Sequence, residues 1–590
     1  MKHVNPSRRL SVLLALAAVT GFTACGGGGG AASSPDMTAG SGGNSTPASN
    51  STPPANDAFA APPVQPSLAQ PALSLPTAVA NGSTVALECG RTYRGTLDLR
   101  GKTGVTVTTA GTCGKAVISP GQAIEGWTRH QGNIYSAPLE FVPAQLIVDG
   151  QPQALAHWPN RAQGWATADA TSATSLRHAL PSADLAGATL VFRPYDWAIE
   201  SRSITGYANG TLSLAAGGNP NHDGYPLEGR PPFYVEGKLW MLDEPGEWVA
   251  AGGRVYVWTA DGQSPQGRAW ASPASHGINA ANSHGVRIEG IAIYGAADGV
   301  HGADADGLQL RDVDIANSSG NGIMNSGGSG LQVDGGTVRN SRHDAIAVKW
   351  GGGKERISNV RIDSSGTIGM PVNAHAAINL TGGNGAVVSN NTVTRSGYIG
   401  IRTFRDSVVS GNLVDGACLT LTDCGGIFNS ARDGLPLNAR IEGNTIRNVG
   451  VGQRLAWAIY LGDGANGLTV ADNTIAGNGN GMQIYDGHHI AVTNNRFSAS
   501  TQAHIQLVET VGGRIHDNRV TGNTFTASTE ETYRFSSDGG SAYLPGFVVA
   551  GNNRYLSKAP VFANYNGDPL SYPQWQQRSG QDASSTFGTP

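Results

Sequence analysis

Three acidic residues recur at a constant spacing in the C-terminal half of the chain. Asp463 ends the run Ile-Tyr-Leu-Gly-Asp, Asp486 ends Met-Gln-Ile-Tyr-Asp, and Glu509 ends Ile-Gln-Leu-Val-Glu, so successive acids lie 23 residues apart. Carboxyl groups held close together cannot both ionise easily, so one pKa rises and an acid remains available near neutral pH. If the fold stacks these residues, their spacing predicts a general acid beside a nucleophile or base.

Three interpretations of these acids stay open. In the first, two of the carboxyls are the acid and the nucleophile or base of a glycosidase, and neighbouring repeats give about the 5 Å separation of a retaining enzyme. In the second, the acids hold Ca²⁺, while Lys349, Arg402 or Arg405 removes a proton beside a uronate carboxylate in a lyase or epimerase. In the third, the acids only begin turns, because Asp-Gly is a common turn dipeptide. The first is favoured, with the three acids as catalytic residues.

The runs that end in these acids belong to a longer series. Related runs are GIMNSG from Gly322, AIAVKW from Ala345, AINLTG from Ala377, GIRTFR from Gly400, GIFNSA from Gly426, AIYLGD from Ala458, GMQIYD from Gly481 and HIQLVE from His504. The step is 23 residues, lengthened to 26 or 32 where loops are inserted. A second series, including EGNTIRNVG and ADNTIAGNG, places Asn before a short apolar pair. Alternation with period two, interrupted by Gly and Asn, favours strands and turns over helices.

Short repeats built from strands and turns indicate a solenoid. We predict an all-β fold, a right-handed parallel β-helix of about ten coils from roughly Val85 to Asn552. Recurring Asn side chains at one corner are expected to hydrogen-bond to their equivalents above and below. A propeller is disfavoured because 23 residues are too few for a four-stranded blade. Residues 123–271 are rich in aromatics and in Asp-Gly and Gly-Gly turns, which predicts a small inserted β-rich domain.

Alternate side chains of a strand point to opposite faces, so the repeat also predicts which residues face outwards. Ile459 and Leu461 should be buried, and Tyr460 should face out. The same register gives an outward row of Met324, Ala347, Asn379, Arg402, Phe428, Tyr460, Gln483 and Gln506. Polar and aromatic side chains on such a face suit a sugar, whose hydroxyls and apolar ring faces they match. The predicted substrate-binding residues are Lys349, Asn379, Arg402, Arg405, Tyr460, Gln483, Tyr485 and His488.

The composition restricts partners and compartment. The net charge of −4 arises from few and nearly balanced charges, which argues against nucleic-acid or anionic-membrane partners. We expect a monomer without a cofactor, Ca²⁺ entering only with the lyase interpretation. Local pairing of Cys89 with Cys113 and of Cys418 with Cys424 is the simplest arrangement in an oxidising compartment. A metal site is the rival interpretation of these cysteines, but no histidine lies at finger-like spacing beside either pair.

The N-terminal residues carry a targeting signal. Lys2, Arg8 and Arg9 precede an apolar run that is too short to span a bilayer. The following GFTAC resembles a bacterial lipoprotein signal, which implies that Cys25 is lipidated, although Phe22 replaces the usual leucine. An ordinary secretory signal is the alternative. Both kinds of signal export the protein, and the lipoprotein signal implies an outer-membrane lipoprotein that is periplasmic or at the cell surface. Residues 26–71 are Gly, Ser, Thr, Pro, Ala and Asn with almost no large apolar side chains, which predicts a flexible tether. The remaining boundaries are 72–122 for a cap and the first coils, 272–552 for the main helix and 553–590 for a packed tail.

Several motifs together resemble a known superfamily. HWPNRAQGW, LDEPGEW, VYVWTADG, AIYLGDGANGLTVADNTI and YPQWQQRSGQDASS are similar to the pectate-lyase-like β-helix proteins, in particular carbohydrate-active members with an inserted β-domain. The resemblance implies an exported enzyme that cleaves glycosidic bonds in a polysaccharide or oligosaccharide, a glycoside hydrolase first and a polysaccharide lyase or uronate epimerase second. A glycan-binding adhesin is the non-catalytic alternative. The segment SRHDAIAVKW superficially resembles the acid-containing strand of polygalacturonases, but its companion motifs are absent, so Asp344 is not chosen as catalytic.

Overall fold

The computed structural model describes residues 65–66, 70–215, 225–367, 375–538 and 544–590. The predicted signal, the lipidation site Cys25 and nearly all of the predicted tether lie outside these residues. Within them, the dominant feature is a stack of short parallel strands that the chain visits in turn on three faces.

The first face is a 14-stranded sheet in which all strands are parallel except the last. Its strands are Leu97–Asp98, Ile278–Asn279, Val300–His301, Ile323–Ser326, Ile346–Lys349, Ala376–Leu380, Ile399–Arg402, Cys424–Ser430, Ala456–Gly462, Asn480–Tyr485, Ala503–Glu509, Glu531–Ser537, Ala563–Tyr565 and Asp568–Leu570. The parallel stack confirms the predicted β-helix.

The second and third faces form one 26-stranded sheet. The second face contains Thr84–Glu88, Thr106–Ala110, Arg287–Glu289, Arg356–Ser358, Val387–Ser389, Val408–Ser410, Arg440–Glu442, Thr469–Ala471, Ala491–Thr493, Asn518–Thr521 and Val548–Gly551. The third face contains Leu73–Ser74, Thr92–Arg94, Ala116–Ser119, Ile291–Tyr294, Arg361–Ser365, Thr392–Ser396, Leu413–Asp415, Thr445–Arg447, Thr474–Ala476, Arg496–Ser498, Thr524–Ala527, Arg554–Ser557 and Thr586–Gly588. Two long strands, Gln309–Ser318 and Gln332–Ser341, run through both faces.

The corner between the second and third faces is held by a column of buried asparagines. In each coil the side-chain oxygen accepts hydrogen bonds from the backbone N–H and the amide of the asparagine one coil earlier, as at Asn444, where both donors come from Asn412 at 2.9 and 3.0 Å. The column comprises Asn391, Asn412, Asn444, Asn473, Asn495, Asn523 and Asn553. The predicted asparagine ladder is therefore present, and it satisfies backbone groups that the turn would otherwise leave unpaired.

The β-helix continues across the predicted insertion. Leu97–Asp98 pairs in parallel with Ile278–Asn279, and Thr106–Ala110 pairs with Arg287–Glu289, although the whole intervening segment separates them in sequence. The first coil after the inserted segment therefore stacks directly on the last coil before it.

The intervening segment forms three further sheets, largely antiparallel. The four-stranded sheet has Gln122–Ala123, Gln145–Val148, Gln151–Pro152 and Ala269–Ser272, and the five-stranded sheet has Thr128–Gln131, Ile134–Pro138, Ala154–Leu155, Glu247–Ala251 and Arg254–Trp258. The eight-stranded sheet has His157–Trp158, Ala166–Thr167, Ala170–Ser172, Ser175–Arg177, Thr189–Tyr195, Ala198–Ala208, Thr211–Leu214 and Pro232–Glu236. A buried cluster that includes Leu190, Phe192 and Phe233 gives this segment apolar packing of its own.

The C-terminal residues cover the last coil. The helix Tyr572–Ser579 buries Trp575 completely against the aromatic end of the core, where its ring stacks near Tyr533 and Phe535. Three short 3₁₀ helices, Arg161–Gln163, Leu239–Met241 and Leu544–Phe547, complete the elements.

The disulfides are those that the sequence predicts, Cys89–Cys113 and Cys418–Cys424. Such bonds persist in oxidising compartments and are typical of extracellular or periplasmic proteins. Among the described residues, no helix has the length and apolar character needed to cross a membrane.

Candidate functional site

The first face carries the outward row in the register that the sequence predicts. Asn379 pairs with Arg402, Arg402 with Phe428, Phe428 with Tyr460, and Tyr460 with Gln483. Ile459 and Leu461 are fully buried, as predicted. Yet Asn379 and Tyr460, which point outwards, are only 1% and 4% exposed. Other residues must therefore shield this part of the face from solvent.

The cover comes from the inserted segment. Trp165, Trp197 and Tyr234 pack against the main hydrophobic cluster, which joins the β-helix core to Val191 and Ile199 of the inserted segment. The turn between Thr189–Tyr195 and Ala198–Ala208 accepts a hydrogen bond at the carbonyl of Asp196 from the backbone N–H of Thr422, at 3.0 Å. The middle of the first face is consequently covered rather than open, and we call this covered strip the groove.

Asp344 is the centre of one polar cluster in this groove. Its Oδ2 lies 2.9 Å from Nδ1 of His375 and 2.9 Å from Nζ of Lys349. Its Oδ1 accepts hydrogen bonds from the backbone N–H of Ala376 at 2.6 Å and from Nδ2 of Asn379 at 3.1 Å. The carboxylate is fully buried. Four donors thus hold one buried carboxylate at the start of a strand.

The electrostatics of this cluster follow from those donors. Burial alone raises the pKa of Asp344, but the charges of Lys349 and His375 and the hydrogen bonds outweigh it, so the net pKa lies well below the usual value. His343 stacks on His375 with ring centroids 4.9 Å apart. Burial, followed by the neighbouring charge of His375, lowers the pKa of His343 to about 3, so that imidazole is neutral.

Asp423 is the centre of a second cluster, three strands further along the face. It is half-buried and accepts a hydrogen bond from the Tyr460 hydroxyl. The pKa of Asp423 is raised to about 6, chiefly by burial; the bond from Tyr460 lowers it, and the charges of Asp463 and Asp196 raise it. A carboxyl with this pKa carries a proton over a useful fraction of the neutral range.

Asp463 follows the end of the strand that pairs with Cys424–Ser430, affects Asp423 electrostatically and is ion-paired. Its Oδ2 accepts a hydrogen bond from Nε of Arg432 at 2.9 Å, and its side chain is 15% exposed. The two carboxyls therefore differ in environment, since one has a guanidinium partner and the other has a phenol and apolar surroundings. Such a difference separates the roles of two acids in one site.

Arg402 connects the two clusters. Its guanidinium lies over the ring of Phe428, 5.2 Å from the centroid, and interacts electrostatically with Tyr398, Asp344 and Asp463. Burial lowers the pKa of this guanidinium. Phe428 in turn meets Tyr460 edge to face at 5.1 Å. The groove therefore offers one cation and two aromatic rings between the acidic groups.

The other two predicted acids have structural partners. Asp486 is 4% exposed, and its carboxylate accepts hydrogen bonds from the backbone N–H groups of Thr510 at 2.7 Å and Val511 at 3.3 Å, and from the Thr510 hydroxyl. Glu509 is fully buried and bonds Gly513 N–H at 2.8 Å and the Ser537 hydroxyl at 2.7 Å. These contacts fit the interpretation in which acids stabilise turns.

The remaining predicted substrate-binding residues are not drawn into the two clusters. Arg405 pairs with Asp433, and its guanidinium lies over the ring of Phe404, 4.5 Å from the centroid. Gln483 follows Tyr460 in the outward row and is 4% exposed, and Tyr485 lies half-buried near the end of the same strand. His488 contacts His489, with the two Nδ1 atoms 2.7 Å apart. Lys349, Asn379, Arg402, Tyr460 and Asp463 are the predicted residues that the groove brings together.

Sequence reasoning missed the two central carboxyls. Asp344 was set aside because the motif around it was incomplete. Asp423 lies inside the short Cys418–Cys424 loop, where the sequence pattern indicates only a disulfide. The available signal was position: each of these aspartates stands immediately before, or two residues before, a strand of the first face.

Comparisons with known proteins agree on the fold. A family model described as "Right handed beta helix region" matches residues 276–446 and 376–536. A solved structure described as a glycoside hydrolase has a TM-score of 0.52 and 14% identity, covering 85% of this chain and 92% of its own. The A-module of a mannuronan C-5 epimerase from Azotobacter vinelandii has a TM-score of 0.32 and 15% identity, covering 54% and 83%.

An α-1,3-glucanase catalytic unit from Streptomyces thermodiastaticus has a TM-score of 0.29 and 11% identity, covering 77% of this chain and 87% of its own. No curated protein matches the chain by sequence. Of these three solved structures, the glycoside hydrolase alone exceeds a TM-score of 0.5, and at its identity it establishes no more than the fold. The chain is a right-handed parallel β-helix protein, as its resemblance to the β-helix superfamily implied.

Proposed function

We propose that this protein hydrolyses glycosidic bonds in a polysaccharide or oligosaccharide, with Asp423 as general acid and Asp463 as the partner carboxylate. The observation that carries the proposal is the electrostatic interaction of a half-buried, hydrogen-bonded Asp423 with an ion-paired Asp463 on one covered part of the first face. The fold contributes little to this choice, because one architecture hosts many activities.

The two carboxyls have complementary tasks in such a reaction. Asp423 protonates the glycosidic oxygen as its bond to the sugar breaks, which its raised pKa permits. Asp463 faces the positive charge that develops on the sugar, either as nucleophile or as the base that activates water. Tyr460, which donates a hydrogen bond to Asp423, positions the acid.

The rest of the groove supports a sugar substrate. Phe428 and Tyr460 supply aromatic surface for apolar ring faces, and Arg402 supplies charged donors for hydroxyl or carboxylate oxygens. A site that combines one cation with two rings suits an acidic sugar as well as a neutral one.

A β-elimination lyase or an epimerase acting on uronates is the second candidate. Arg402 favours it, because burial lowers the pKa of the guanidinium and so eases its use as a base. Lys349 is less suited to that role, since its ammonium is 2.9 Å from Asp344. On this second candidate, replacing Arg402 by Gln removes turnover, whereas replacing Asp423 by Asn does not.

The experiment that separates these activities follows two signals on a panel of neutral and acidic polysaccharides. New reducing ends without ultraviolet absorbance would support hydrolysis. Reducing ends that rise together with the absorbance of an unsaturated uronate would establish a lyase and contradict the hydrolytic proposal. Glycan binding without either signal would favour an adhesin or an epimerase, because epimerisation cleaves no glycosidic bond.

Export as a lipoprotein also remains a proposal. Both disulfides favour an oxidising compartment. Labelling cells with a radioactive fatty acid tests the anchor: the label should enter the wild-type protein and be lost in Cys25→Ser. Labelling that persists in that variant would contradict lipidation at Cys25.

A further inference from the structure

A third polar cluster lies on the first face, two coils before Asp344. It consists of His276, Asp298 and His301. Oδ2 of Asp298 is 2.8 Å from Nδ1 of His301 and 3.5 Å from Nδ1 of His276. The two imidazoles stack, with centroids 4.1 Å apart and an interplanar angle of 16°. No role in the proposed hydrolysis uses these residues.

The Asp298 carboxylate is held in one orientation. Asn321, one coil further on, donates its backbone N–H to Oδ1 at 2.9 Å and its side-chain amide to the same oxygen at 3.0 Å. Asp298 is buried, at 8% exposure. Its second oxygen therefore faces the two imidazoles and nothing else that donates to it among the described residues.

The Asp344 cluster has the same layout with one difference. There too, Oδ1 accepts a backbone N–H and an asparagine amide from the following coil, and Oδ2 meets a histidine Nδ1. At Asp344 the remaining contact to Oδ2 is the Lys349 ammonium, 2.9 Å away. At Asp298 this second place is taken by His276, whose buried Nδ1 makes no hydrogen bond within the described part of the chain. Oδ2 of Asp344 is thus paired with the Lys349 ammonium. Oδ2 of Asp298 instead faces the imidazole nitrogen of His276, which can bind a metal ion.

We propose that His276, Asp298 and His301 form a site for a divalent transition-metal ion. Two imidazole nitrogens and one carboxylate oxygen are ligands that zinc, manganese and iron accept, whereas calcium prefers oxygen alone. Ligands at about 2.0–2.2 Å from such an ion lie roughly 2.9–3.4 Å from one another. The separations of 2.8 and 3.5 Å lie about 0.1 Å outside the two ends of that range. Asn321 is the outer residue that orients the carboxylate, as ligand-orienting hydrogen bonds do in metal sites.

The exposed histidines His488, His489 and His516 are the competing location, and they are less suitable. Nδ1 of His488 and Nδ1 of His489 are 2.7 Å apart, and none of the three imidazoles is buried. Asp517, the nearby carboxylate, is exposed and already contacts Nδ1 of His516 at 2.7 Å. This cluster serves as the internal control.

The site lies where the inserted segment rejoins the β-helix. His276 follows the strand Ala269–Ser272 of the inserted segment and precedes Ile278–Asn279 of the first face, while Asp298 and His301 belong to the next coil. An ion bound here ties the returning chain to that coil, so metal binding should raise the unfolding temperature.

The test uses the full chain, freed of metal with a chelator, and titrates it with Zn²⁺ or Mn²⁺ in a calorimeter and in thermal unfolding. We expect one equivalent of ion and a rise of several degrees in Tm. Both effects should disappear in His276→Ala and Asp298→Asn but persist in His488→Gln/His516→Gln. His276 is partly exposed, so its variant should fold even if Asp298→Asn does not.

Cobalt(II) provides a second readout, because its visible spectrum reports nitrogen ligation independently of stability. The spectrum should change in His276→Ala and stay unchanged in the double control. Binding that is lost only in the control variant, or no binding to the wild-type protein, would overturn the proposal and leave a hydrogen-bonded His-Asp-His group. None of these measurements depends on hydrolytic activity, so its failure and the failure of the proposed function are distinguishable.

Discussion

Asp463 and Asp486 occupy equivalent places on successive coils of the first face but have different surroundings. Both follow the same kind of strand and adopt the same left-handed backbone, with φ of 51° and 49°. Asp486 accepts two backbone N–H groups and a hydroxyl from the next coil, whereas Asp463 pairs with Arg432 and affects Asp423 electrostatically. Equal position in a solenoid therefore does not imply equal chemistry.

The loops next to Asp463 and Asp486 cause the difference in their surroundings. The turn at 510–513 folds back under Asp486 and Glu509 and satisfies both carboxylates. Near Asp463 the neighbouring loop instead supplies Arg432. The disulfide-closed segment that carries Asp423 precedes the start of the paired strand, and the inserted segment contacts it at Thr422. A carboxyl that a turn has already satisfied has little left to offer a substrate.

The largest effect is expected for Asp423→Asn. Loss of the general acid should lower kcat/KM by about 10²–10⁴-fold, because the leaving oxygen departs without a proton. Asparagine tolerates the left-handed backbone at this position, where φ is 53°, so folding should be preserved. Steady-state kinetics against Asp472→Asn, an exposed aspartate with the same backbone conformation, gives the matched control. Equal losses in the two variants would contradict a catalytic role for Asp423.

The comparison itself is tested by Asp463→Asn and Asp486→Asn. Asp463→Asn should lower kcat/KM by about 10²-fold or more, since the charge that faces the reacting sugar is lost. Asp486→Asn should leave kcat/KM within a few-fold but lower the free energy of unfolding by about 1–3 kcal/mol through its buried turn contacts. Kinetics and urea unfolding of both variants check this. The reverse pattern would return the active site to the later coils.

The smallest effect on activity is expected far from the groove, at Asn444. Replacing it by Ala leaves the buried N–H of Asn412 without an acceptor, which costs about 1–3 kcal/mol of unfolding free energy. Substrate turnover should not change, because the asparagine column lies on another corner. Thr474→Ala, at an exposed position of the third face, should be nearly neutral in the same unfolding assay. Loss of turnover in Asn444→Ala at temperatures where it is folded would show that the column influences the groove.

The fold could be predicted because its information is local and repeated. The alternation that buries Ile459 and Leu461, and the asparagines that stack at one corner, recur in coil after coil, so each repeat confirms the last. The same regularity fixed the register that brings Asn379, Arg402 and Tyr460 into one row.

The centre of the site was harder to predict because it is irregular. Asp423 matters through its burial, through Tyr460 and through a turn of the inserted segment at Asp196, which is far away in sequence. Asp344 contacts His375 and Lys349, and the repeat pattern does not predict that these three side chains converge. Periodicity reveals where coils stack, but contacts from insertions and loops decide which stacked residue is chemically available.

The most direct test of the central claim is the pH dependence of kcat/KM, measured for the wild-type protein and for Asp423→Asn on a cleaved substrate. The pKa of Asp423 is raised to about 6, so its protonated form, which acts as the acid, is present below that pH and is lost as the pH rises through it. The wild-type kcat/KM should therefore fall about tenfold per pH unit above pH 6, and the residual activity of the variant should lack that fall. A fall near pH 6 that persists unchanged in Asp423→Asn would contradict the assignment of Asp423 as the acid.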